Sequence, residues 1–132
     1  MNIGREGDFT TKQSARSVDA TLQRFLEILA ARKVTQFAVI DQRAEARRVG
    51  LDLRETVVVL FGNPAAGTPL MNARPLAALD LPLKVVIWSD DDRTNVSYLA
   101  PRAFAERHGF TTAEAAPVAS VDALTDALVA TD

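Results

Sequence analysis

Cysteine is absent from this 132-residue chain, and histidine, tryptophan and tyrosine each occur once. The first absence excludes disulfides, thiolate metal sites and cysteine nucleophiles. With a single imidazole, His108, a zinc or transition-metal centre inside one chain has too few ligands, so neither metal nor cofactor is expected. No apolar run approaches the roughly 20 residues needed to span a bilayer, and Met1–Asp8 holds no apolar leader core. A soluble cytoplasmic protein without a membrane partner is expected. Charge of one sign is lacking too: 15 basic against 17 acidic residues leave a formal −2, which disfavours nucleic acid as a partner. There is no Gly-x-Ser-x-Gly elbow and no serine–histidine–acid set, so nothing in the chain requires an enzyme.

What is present suits one domain over residues 1–132, with a core at about 9–110 and a last helix at about 120–130. Residues 9–15 are threonine-rich and extended, a first strand at an edge. Ser17 caps a helix whose Val18, Leu22, Phe25, Leu26 and Leu29 form one apolar stripe, closed by Arg32 and Lys33. A half-buried strand follows at 35–40, then Asp41 caps a two-turn helix that Gly50 stops. Residues 55–61 and 83–88 are apolar on both faces, which predicts cover on each side. Residues 83–99 read as a hairpin with a long polar loop, 101–108 as a helix opened by Pro101 and ended by Gly109, and 111–119 as an alanine-rich link. Ser120 opens the final helix as Ser17 opens the first. The order predicts an α+β domain, an antiparallel sheet with helices mainly on one face. A homodimer would supply the missing cover.

The stretch between the two apolar strands is the expected site. Gly62 and Gly67 are read as permitting close backbone approach, and Asn63-Pro64 and Thr68-Pro69 both read as cap-plus-first-turn pairs that aim free N–H groups outward, toward a small anionic ligand. The lysine of a phosphate loop is missing, so a nucleotide triphosphatase is not expected; a rigid capped connector would serve structure alone. Arg43 and Arg47 lie one helical turn apart and could face one anion, or could be a solvated helix face. Asp41 and Asp80 stand at element ends, as caps or as an acid/base pair. Asp90-Asp91-Asp92 lacks the spacing of a calcium loop, and His108 suits the negative end of its helix.

Ile40-Asp41, Ala44, Ala46, Gly50-Leu51, Phe61-Gly62-Asn63-Pro64, Gly67-Thr68-Pro69-Leu70-Met71, Leu79 to Val85, Tyr98 and Glu106-Arg107-His108-Gly109 resemble the family called domain of unknown function 302, over roughly residues 9–110. The resemblance implies a fold similar to TATA-binding-protein-like domains and a dimer, and carries no settled activity. Members commonly have histidine after the aspartate of the Ile-Asp pair. Here Gln42 stands there, which leaves any metal, haem or proton-transfer role for that histidine without its side chain.

Three functions follow as expectations. The first is a dimeric small-ligand binding domain whose site uses Asp41, Gly62, Asn63, Gly67, Thr68, Asp80 and Tyr98. The second is an enzyme using Asp41 or Asp80 as acid/base, and the third a module binding a partner chain through an apolar sheet face.

Overall fold

Local chemistry sets where the helices begin and end. The computed structural model describes residues 3–131, with side chains from Gly7 onward; the part of the Met1–Asp8 reading that concerns Met1 and Asn2 lies outside it. The Ser17 hydroxyl accepts the Ala20 amide at 3.0 Å and opens α1 (Val18–Ala31). Asp41 Oδ1 accepts the Ala44 amide at 3.0 Å and opens α2 (Gln42–Arg48). Gly50 and Gly109, at φ +77° and +71°, follow α2 and α4 (Pro101–His108) in the left-handed conformation that ends a helix cheaply.

Six strands, β1 (Ile3–Glu6), β2 (Phe9–Ser14), β3 (Thr35–Asp41), β4 (Thr56–Gly62), β5 (Leu83–Asp90) and β6 (Arg93–Leu99), form one antiparallel sheet in the order β1-β2-β6-β5-β4-β3. The strand expected at the edge, β2, is covered by β1 and is second from it. The hairpin loop is short rather than long: Asp90 pairs with Arg93, and Asp91 turns the chain at φ +55°. Chain order requires α1 to carry the backbone from β2 across to β3, at the far edge. Four inter-strand steps span about 19 Å, and 14 helical residues extend about 21 Å. The helix length matches the crossing.

Alternation then decides what is buried. Val57, Val59 and Phe61 of β4, Val85 and Ile87 of β5, and Val96 and Tyr98 of β6 face α1 and α5 (Ser120–Val129). Phe25 meets Phe61 edge-on, with ring centroids 5.2 Å apart at 85°. The cover expected on both faces is found on one. Val58, Leu60, Val86 and Trp88 point the other way, away from α1 and α5, and are half-buried. A second apolar cluster, built from Leu70, Ala77, Phe104, Ala105, Phe110, Ala115 and Val118, closes one end of the sheet. The 111–119 link contributes to it through a turn in which Thr111 and Glu114 each accept the other's amide, then a 3-10 turn over Ala116–Ala119. That turn feeds straight into α5, so Ser120 is no N-cap; its hydroxyl donates to the Pro117 carbonyl instead.

Lys12 is the one cation buried among the described core residues, 3% exposed. Its Nζ donates to the Asp122 carbonyl, Thr125 Oγ1 and Asp126 Oδ1 at 3.1, 2.7 and 2.8 Å, while the Tyr98 hydroxyl donates to Asp122 Oδ1 at 2.6 Å. All three ammonium donors are thus met, which is what a buried lysine needs. Burial pushes the Lys12 pKa down, but the hydrogen bonds and charges of Asp126 and Tyr98 outweigh it and hold it above 10.5. Its folded-state pKa being raised, the pair stabilises the fold below about pH 10.5 and loses that contribution as pH rises through the folded value. Lys12→Ala is expected to cost about 2–4 kcal/mol in urea unfolding. Asp126→Asn, at a half-exposed partner, should cost no more than about 1 kcal/mol.

Candidate functional site

The stretch read as a rigid loop is mostly helix. Asn63 caps α3 (Pro64–Ala73), its Oδ1 accepting the Ala65 amide at 3.0 Å. The amides of Ala66 and Gly67 both bond the Asn63 carbonyl, each at 2.9 Å. Pro64 has no N–H, so the first turn offers no free donor to an anion. Thr68-Pro69 lies inside the helix rather than opening one. Pro69 would ordinarily break it; Leu70, buried in the second cluster, anchors the turn that follows. Neither glycine is needed for close approach. A Cβ on Gly62 would meet Phe37 and Pro82 at 3.7 and 3.8 Å, and one on Gly67 would meet Leu81 and Met71 at 3.9 Å, which is ordinary contact.

A cavity of about 460 Å³ opens beside α3 all the same. Val34, Phe37, Phe61, Leu70, Met71 and Leu81 supply apolar walls, and Gly62, Asn63, Gly67 and Thr68 lie along it. A second cavity, about 450 Å³, lies across the Asp80–Leu83 segment; Asp80 and Tyr98 line this one. Asp41 belongs to neither. Register pairs Asp41 with Val57 and Gly62 with Thr35, at opposite ends of the β3–β4 ladder, so about 17 Å separates them. Asp41 instead shares a small recess with Arg43 and Arg47, beside Asp19 and Glu55. Three carboxylates there make the recess poorly suited to the anion envisaged for the two arginines. The seven expected residues therefore fall into three groups.

Asp80 sits in a cluster that no sequence pattern announced. His108 Nε2 lies 2.6 Å from Asp80 Oδ2, and Arg107 Nη1 donates to both carboxylate oxygens at 3.1 and 3.0 Å. The imidazole is 6% exposed and packs at 4.9 Å against Phe104. Burial pushes the Asp80 carboxyl up, but His108 and Arg107 outweigh it and pull it below the ordinary 3.8. A general acid at neutral pH needs the opposite shift. Asp41 is committed as a helix cap. The Tyr98 hydroxyl is held by Asp122 on the helix-covered side, so it is already committed as a donor. Among the described residues, no group of three or more His, Asp or Glu is placed to hold a metal ion, and no helix is long and apolar enough to cross a membrane.

A carboxylate whose folded pKa is lowered stabilises the protein above its unfolded value and loses that contribution as pH falls through the folded one. Asp80→Asn should therefore be less stable than the wild type at pH 7. The gap is expected to close below about pH 3.8 in paired urea titrations; a gap unchanged at pH 3 would refute the ion-pair account.

Comparison with known proteins places the fold and the family. Residues 10–129 match the family described as "Domain of unknown function DUF302". A crystal structure of an uncharacterized conserved DUF302 protein from Bacillus stearothermophilus superposes with a TM-score of 0.78, covering 94% of this chain and 97% of that one at 18% identity. Curated relatives include proteins named "Fluoride-specific ion channel FluC 1" from Brucella suis biovar 1 and Brucella abortus biovar 1, each 31% identical over 104 residues. That match takes in 78% of this chain but 41% and 38% of theirs, so the chain spans about two fifths of the length of those relatives. With its α+β architecture and a match running through nearly all of its strands and helices, the chain belongs to the domain of unknown function 302 family.

Proposed function

We propose that this chain is a small-ligand binding domain that acts as a homodimer, with its ligand in the cavity beside α3. The observation that carries the reading is that hollow, about 460 Å³ and walled by side chains from separate parts of the chain. Such volumes and such mostly apolar linings are what small-molecule sites use. The committed first-turn amides argue for a neutral, largely apolar ligand over the anion expected from sequence. The Asn63 side-chain N–H₂ and the Thr68 hydroxyl remain as polar handles along the wall.

The open sheet face supports self-association. Some of its polar groups pair with one another: Trp88 Nε1 donates to Ser97 Oγ at 2.9 Å, and Ser97 and Thr11 hydroxyls lie 2.7 Å apart. Around them run Ile40, Val58, Leu60 and Val86. Six strands of about six residues give a flat footprint of roughly 500–600 Å², near the ~800 Å² per partner of a standard interface once side-chain relief is counted. A second copy of this chain is the occupant proposed. The relatives named as fluoride channels join a similar segment to further sequence, and a ligand-responsive accessory role beside such a channel is a reading compatible with this site.

Two measurements test the proposal. Indole at a hundredfold excess over its Kd should add about 2.7 kcal/mol, a Tm rise on the order of 8 °C. Gly67→Trp, filling the cavity, should abolish the rise. Absence of any shift with indole, phenol or naphthalene would remove the reading. Sedimentation equilibrium should give twice the 14.3 kDa chain mass, reverting to a monomer in Ile40→Lys; a wild-type monomer would overturn the dimer.

A further inference from the structure

The pairing of β5 with β6 stops at Val86↔Ser97, although β5 continues back to Leu83 and β6 on to Leu99. On their outer sides both strands keep their partners: Leu83 pairs with Phe61, and Leu99 with Phe9. The sheet therefore forks in its interior. Leu83 and Leu99 both pack against the second apolar cluster, and Phe104 of that cluster lines the space beside them. The cavity of about 450 Å³ lies in this fork. Its lining draws on both faces of the sheet. Val58, Val86 and Ser97 belong to the open face, while Val121 belongs to α5, packed on the covered face. An intact ladder would keep those side chains apart.

Charge then selects the ligand. Of the charged residues lining the fork, Arg107 and Asp80 neutralise each other, with His108 also on Asp80 and Asp8 within 3.9 Å of Arg107. Lys84 also lines it, is exposed, and has no ion-pair partner among the described residues. One uncompensated ammonium beside a deep apolar slot fits a monoanion with a hydrocarbon body. A phosphate would want several converging donors, which the fork does not offer.

We propose that the fork is a second binding site, distinct from the cavity beside α3, for a medium-chain carboxylic acid: the apolar tail enters between β5 and β6, and Lys84 meets the carboxylate. The site uses none of the residues tested for the α3 cavity, so either can fail alone.

Titration calorimetry with octanoate, 1-octanol and octylammonium, one tail with three head groups, tests it. Octanoate should bind about tenfold or more tightly than octylammonium. Lys84→Gln should weaken octanoate by about tenfold while leaving 1-octanol within about twofold. Lys84→Glu should invert the preference. Val86→Trp, which fills the fork, should abolish all three, and Gly67→Trp should leave them intact. Because Lys84 is exposed, its variants decide the matter even if Val86→Trp fails to fold. No octanoate binding at millimolar concentration, equal binding of the two charged probes, or loss on Gly67→Trp would overturn the proposal.

Discussion

A single helix laid across four strand spacings holds this sheet in its order. The α1 segment leaves the sheet beside one edge and returns it at the other, so β2 and β3 cannot be neighbours and the middle must be filled by β4, β5 and β6. Phe25 against Phe61 and Leu29 beside it bury the crossing, and α5 packs alongside α1 to finish the layer. Burying large side chains in this way contributes about 1.5–3 kcal/mol each. Lys12 is the buried charge within that layer. Its Nζ lies over the Tyr98 ring, 5.3 Å from the centroid, and fixes α5 by bonding consecutive turns of that helix.

One-sided burial has consequences at the other face and at one end. With α1 and α5 spent on one surface, the opposite surface of β4 and β5 is left half-buried. The remaining helical segments gather at the end of the sheet instead, around Phe104 and Phe110, whose rings stack 5.9 Å apart. Leu83 and Leu99 both pack against that gathering, at the end where the β5–β6 ladder has stopped. Both large hollows flank the same short segment, Asp80 to Leu83, because it is where the sheet layer hands over to the end cluster. The Asp80–Arg107–His108 cluster pins that segment to α4.

Much of the architecture was legible residue by residue. Ser17, Asp41, Gly50, Pro101 and Gly109 act on backbone groups within a turn of themselves, so their effect needs no distant partner. The site was legible only in part. Asn63 was rightly read as a cap, but Pro69 read as a second helix start when the helix runs through it, because tertiary anchoring of Leu70 overrides a local breaker. Tyr98 was expected at the site, yet its hydroxyl is bound by Asp122, 24 positions away. Lys84 drew no notice, since an isolated lysine in an apolar strand has no pattern to mark it.

Composition, spacing and turn chemistry determined that this would be an α+β domain with an antiparallel sheet, and where most of its helices start and stop. Those properties depend on groups within four or five residues of each other, and a linear string displays them. Only the tertiary structure decided that Asp41 and Gly62 stand at opposite ends of one ladder, that the amides beside Asn63 are already used, and that the β5–β6 pairing stops at Val86 and Ser97. Each of these depends on which distant segments share a strand register or a core, and that is settled by packing the whole chain at once.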